Sequence, residues 1–210
     1  MAIIDGTAPH MIDPKIPGVF DEIINLGLYL DEEQLIPYKE EILKANKGKA
    51  RYYKSAYHYL KAAQLIDKDS VMAYESCLNP KILYEITNHI IKRTLLVDKT
   101  GIGSLRKMFA SAITPEGSVS FIDTLIGGTK IVALKGETPV SKKILEKVCE
   151  ESILCGYDVE ACYCPMYPEK IEHLIIPELN ISIVSLNNYH NCTLKATMEV
   201  DVDKASDPNC

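Results

Sequence analysis

KIVALKGETPVSKKILEKVCEESILCGYDVEACYC, Lys130 to Cys164, is the stretch that decides the fold class. Its first residues, Lys130 to Leu134, form a compact β-type run bounded by Gly127-Gly128 and Gly136. Lys142 to Cys155 follows with helical spacing. Ile144, Val148 and Ile153 point inward, while Lys143, Glu146, Lys147 and Glu150 point outward. Gly156 sits where a helix C-cap is expected, and Tyr157 to Cys164 reads as the next strand. Strand, glycine, helix, glycine, strand is a βαβ unit, and it implies a parallel sheet. Two more strands are expected, at His173–Ile176 and Ile181–Leu186.

The first half has a different pattern. Met1 to Ile4 reads as a strand ending at Asp5-Gly6, and proline and glycine make Pro9 to Gly18 a loop. From Val19 to about Val97 the spacing predicts three or four helices, interrupted at Pro37, Gly48 and Pro80. Lys99 to Gly117 is expected to be a connector with one helical turn around Leu105 to Ala112. The tail after Cys192 is acidic and predicts no element. The expected division is therefore residues 1–98 and 99–210.

Composition bounds the function classes. At 210 residues with 47% apolar and 25% charged residues, the chain is long enough for one large or two small globular domains. The net charge of −6 argues against a general nucleic-acid coat. No apolar run approaches the roughly 20 residues that span a bilayer, and MAIIDGTAPH lacks the basic and apolar regions of a signal peptide. Seven cysteines without an export signal are read as reduced thiols, and the location as cytoplasmic.

The chemistry concentrates in the turn of the βαβ unit: Gly136, Glu137, Thr138, Pro139, Val140, Ser141, Lys142 and Lys143. A phosphate-binding P-loop reads G-x-x-x-x-G-K-[ST] between a strand and a helix. Its backbone N–H groups cradle phosphate, its lysine reaches the outer phosphates, and its hydroxyl holds Mg²⁺. Gly136 and Lys142 have the required spacing. Ser141 replaces the second glycine and brings a Cβ close to the phosphate path. Lys143 replaces the hydroxyl, and a protonated lysine cannot ligate Mg²⁺. An ordinary strand-to-helix turn is the competing reading of the same residues.

Several phrases in order resemble one family: Thr114-Pro-Glu-Gly117, Phe121 to Leu125, ALKGETPVSKK, GYDVEACYCP, and Lys170 to Leu179 ending in IPEL. It is an uncharacterised bacterial family of ATP-binding proteins with two tandem P-loop NTPase-like units. Its loops read like GxPGTGKST, and a strand ending Asp-Gly-Thr-Ala-Pro-His follows its IPEL. That phrase opens this chain as Ile4 to His10. The resemblance implies that residues 1–98 are the back part of a first unit, one strand plus helices, lacking its own phosphate loop. Residues 99–210 would be a second unit with a degenerate loop.

The resemblance also implies a damaged magnesium site. Asp5 falls at the strand-end aspartate position of the first unit, and Ser185 at that of the second. The expected function is ATP binding with weak or absent hydrolysis, without dependable Mg²⁺ support. The alternative is a non-catalytic remnant or interaction subunit. The apolar Met1–Ile4 strand would then need a separately encoded N-terminal P-loop piece, or self-association, to cover its edge.

Other motifs carry less. Ile4-Asp-Gly-Thr7 lacks a nucleophile at Ile3, so it is not a phosphoaspartate site. Asp98-Lys-Thr-Gly101 copies a tetrad of membrane pumps in a chain with no membrane segment. Cys162, Cys164, His173, His190 and Cys192 could suggest a metal, but C-x-C and H-x-C are not zinc spacing, so core thiols are favoured. Lys44, Lys47, Arg51, Lys54, His58 and Lys61 would form one basic stripe on an unbroken helix, though Asn46 and Gly48 are expected to break it. A solvated face is the favoured reading of that stripe, and a polyanion surface the other.

Overall fold

The computed structural model describes residues 13–95, 99–136, 138–187 and 192–207. The chain divides into two compact units, Met1–Ala56 and Tyr57–Cys210, where the sequence reading set the division at 98/99. Met1–Ile4, Asp5 and His190 lie outside the described residues, as does Glu137.

In the first unit local hydrogen bonds set the structure. Asp21 ties its own turn, its carboxylate accepting from the N–H groups of Lys15 and Ile16 at 2.9 and 3.0 Å. Asn25 caps a 3₁₀ turn at Leu26–Tyr29, and Asp31 caps α1, Glu32–Leu35. A second 3₁₀ turn containing Pro37 leads into α2, Lys39–Ser76. Gly48 does not break α2, contrary to expectation. A single glycine costs a helix only about 1 kcal/mol, and good helix formers flank it. No described residue from 13 to 56 is buried.

The second unit contains the core. Helix α3, Pro80–Thr94, starts with Pro80 at its first turn, and Asn79 caps it by accepting from Lys81 and Ile82 N–H groups. A six-stranded, mostly parallel sheet follows. It comprises β1 (Leu105–Met108), β4 (Lys130–Lys135), β5 (Val159–Tyr163), β6 (Ile171–Ile176), β7 (Ile181–Leu186) and β8 (Met198–Asp201), in the order β1-β5-β6-β7-β4-β8. Two further strands, β2 (Ser111–Thr114) and β3 (Gly117–Ser120), form a separate hairpin. Leu105 to Ala112 thus holds β1 and the start of β2, with a break at Phe109-Ala110, rather than a helical turn, and the acidic tail supplies β8. Pairing with β5 and β4 stabilises these short edge segments; neither is apolar enough to announce itself alone.

The sheet is mixed rather than wholly parallel. β6 runs antiparallel to both neighbours, and it and β7 separate β4 from β5. The cause is loop length, because a parallel neighbour needs a crossover of a dozen or more residues. The β6–β7 connection is only Pro177–Asn180, closed by Asn180 in the left-handed region at φ 52°.

Helix α5, Thr138–Leu154, and α3 cover one face of the sheet, where Val132, Leu134, Leu145, Val148, Leu174 and Ile183 are buried together. On the other face α4, Ile122–Ile126, buries Ile122 and Ile126 against Ile131, Ala133 and Val184. Burial on both faces explains the apolar run of β4, as expected for a central parallel strand. Gly156 ends α5 at φ 85°, with its N–H on Ile153 O and that of Tyr157 on Ser152 O. No helix of the described residues is long and apolar enough to cross a membrane.

Candidate functional site

Strand β4 delivers the chain to Gly136, and α5 begins at Thr138. Only Gly136 and Glu137 therefore separate strand from helix. The backbone from Thr138 to Lys143 is α-helical, not a loop that wraps a ligand. Gly136 takes φ 133°, and a Cβ there would lie 2.5 Å from Oδ1 of Asp203. Asp203 is carried by a 3₁₀ turn after β8, anchored by buried Val202 and Ala205. A carboxylate thus rests against the glycine that the P-loop spacing assigned to phosphate.

The remaining positions divide between core and surface. Pro139 lies in the first turn of α5, where its missing N–H is harmless. Val140 and Ser141 are buried, and Ser141 Oγ has no hydrogen-bond partner. Lys142 is half-exposed, with Glu146 one turn on at 3.8 Å. Lys143 pairs with Glu75 of α2 at 2.9 Å, so its ammonium is committed to a helix–helix contact. That ammonium cannot ligate Mg²⁺, and Ser185, buried near the end of β7, offers no carboxylate. Phosphate charge, by contrast, suits Lys142 and the positive end of α5.

Lys142 and Pro139 line a cleft of about 490 Å³ within the second unit, inside the range of about 300–1,000 Å³ for small-molecule sites. Lys61, Asp67 and Lys68 of α2 line it too, as do Glu169 and Lys170 of the β5–β6 connection. Two hydrogen bonds join these walls. Gln64 Nε2 donates to Met166 O, and the Tyr167 hydroxyl donates to Gln64 O at 2.9 Å. Burial, then the neighbouring Asp67 carboxylate, push the Tyr167 phenol up to about 12. Lys170 stands over the Tyr167 ring, 5.8 Å from its centroid.

The spacing motif reached only Lys142 and Pro139 of these residues. Lys61 was visible as the last member of the basic stripe, all of which is exposed on α2. Lys68, Tyr167 and Lys170 carried no local signal, because the fold alone brings them to Lys142.

The cysteines are largely core. Cys149, Cys162 and Cys164 are buried, Cys155 and Cys192 are half-buried, and none of the five is in a disulfide. Burial pushes Cys162 up to about 12 and Cys164 to about 11. Cys77 is disulfide-bonded, which corrects the expectation of seven reduced thiols. His173 faces Cys162 across the β5–β6 ladder, inside the core. Among the described residues no group of three His, Cys, Asp or Glu side chains could hold a metal ion. Compared with protein-family models, with curated proteins and with solved structures, the chain matches none.

Proposed function

We propose that this protein binds a nucleotide, ATP by the family resemblance, and hydrolyses it weakly or not at all. In this reading the sheet is P-loop NTPase-like, its phosphate loop shortened into the first turn of α5. One observation carries it: Lys142, which the glycine-to-lysine spacing singled out, opens onto a nucleotide-sized cleft at the positive end of α5. Hydrolysis is weak because phosphoryl transfer depends on Mg²⁺ positioning, for which Lys143 offers no hydroxyl and Ser185 no carboxylate. Calorimetric titration with ATP, with and without Mg²⁺, is the test. Binding should be weak, nearly indifferent to Mg²⁺, and lost in Lys142→Ala. Equal affinity in wild type and variant, or turnover on the order of 1 s⁻¹, overturns the reading.

A second reading, a non-catalytic interaction subunit, is favoured by two other observations. The Asp203 carboxylate rests on Gly136, where an anion would be repelled. The first unit also exposes Val19, Phe20, Leu26, Leu28 and Tyr29, each more than 70% accessible. In that case a partner chain or a second copy covers these side chains. Size-exclusion chromatography with light scattering decides, since a lone monomer that also binds no partner piece counts against it.

A further inference from the structure

Charge is unevenly distributed around the cleft. Of its acidic groups, Glu75 is held by Lys143 at 2.9 Å, and Asp67 faces the Tyr167 hydroxyl. Lys142 has Glu146 only at 3.8 Å. Lys61, Lys68 and Lys170 form no ion pair in the described structure. Four lysines therefore meet two carboxylates that no lysine holds, Asp67 and Glu169, in a concave space of about 490 Å³.

Clustered ammonium groups repel one another, and a concave wall concentrates their field. A compact ligand with several adjacent negative charges relieves that repulsion, whereas a single carboxylate reaches one or two lysines at most. Lysine also suits phosphate as a point charge, needing no fixed bidentate geometry. The walls are tied together by the Gln64–Met166 and Tyr167–Gln64 hydrogen bonds, so the segments that carry Lys61, Lys68 and Lys170 are joined before any ligand arrives.

We infer that this cleft is a polyphosphate-chain site in which Lys61, Lys68 and Lys170 act together with Lys142. Two sources share that chemistry: the tail of a nucleoside triphosphate and free inorganic polyphosphate. The inference rests on the proposed nucleotide function only for what the phosphates are attached to. It adds three residues outside the glycine-to-lysine spacing, two of them on α2.

Sodium tripolyphosphate and ATP are the probes, titrated calorimetrically into the full chain at low and moderate salt. Wild type should bind tripolyphosphate, more weakly as salt rises. Lys61→Gln with Lys170→Gln should lower the affinity about tenfold or more, as loss of charge-assisted contacts does. Lys92→Gln with Arg93→Gln, exposed on α3, should leave it unchanged, and circular dichroism checks that each variant folds. Equal weakening by both double variants means diffuse adsorption and overturns the inference. So does wild-type affinity in the Lys61/Lys170 variant, although the Lys142 reading then survives. Binding of tripolyphosphate without ATP supports the cleft and overturns the nucleotide reading. Binding of neither probe removes both.

Discussion

Residues 13–56 and the unit Tyr57–Cys210 are built from similar side chains to opposite effect. Leu28 is 78% exposed, whereas Leu145 in α5 is wholly buried. The first region is ordered by cap and turn hydrogen bonds between residues close in sequence, such as Asp31 to the Gln34 N–H at 3.1 Å. The second is ordered by a sheet with apolar clusters on both faces. Local bonds shape a segment but contribute only about 1 kcal/mol each. Burial of one large aliphatic side chain is worth roughly 1.5–3 kcal/mol. Resistance to unfolding should therefore reside almost entirely in the second unit.

The sharpest way to break this contrast is one substitution made in both places. Leu145→Ala should cost about 2–5 kcal/mol in urea unfolding. Leu28→Ala should stay within about 0.5 kcal/mol, as exposed positions do. Comparable losses would mean that the first region has packing partners in solution.

Next in size is Gly136→Ala, which sharpens the account of the strand-to-helix turn. The new Cβ meets Asp203 at 2.5 Å, at a φ of 133°, and a strained backbone of this kind costs on the order of 1–3 kcal/mol. Adding Asp203→Ala should recover part of the loss, the steric part, and leave the conformational part. Simple additivity of the two variants would show that the residues do not meet.

Ser141→Ala should act in the opposite direction. It removes a buried hydroxyl that has no partner and replaces it with the best helix former, a gain of about 1 kcal/mol. A measured loss would mean that Ser141 Oγ is satisfied in solution.

The smallest effect concerns pH. Hydrogen bonds from the Cys192 side chain and then Thr193 hold Asp123 below its ordinary carboxylate value. A folded value lower than the unfolded one means the contribution is complete above the ordinary range. It disappears as pH falls through the depressed folded value. The Thr193 amide, which donates to this carboxylate at 3.2 Å, should then exchange faster in acid while the β4 amides do not. Exchange at Thr193 that is insensitive to pH, after correction for the intrinsic rate, would remove this tether from the account.

Much of the second unit was legible because its signals are local. Four buried apolar residues in a row marked β4, period-3.6 burial marked α5, and Gly156 marked its end. The direction of β6 was legible too, had loop length been weighed: Pro177–Asn180 is too short to return the chain to a parallel neighbour. β1 and β8 were not legible. Leu-Arg-Lys-Met and Met-Glu-Val-Asp are strands because β5 and β4 offer them an edge.

For the candidate site the sequence by itself determined the glycine-to-lysine spacing from Gly136 to Lys142, a cation in place of a hydroxyl at Lys143, and a hydroxyl in place of a carboxylate at Ser185. Residue type alone decides those points. Only the tertiary structure decided that Thr138 to Lys143 is helix, that Asp203 rests on Gly136, and that Lys61, Lys68 and Lys170 surround the cleft. These groups come from segments up to more than a hundred residues apart. Their meeting depends on sheet order and helix packing, which no spacing along the chain encodes.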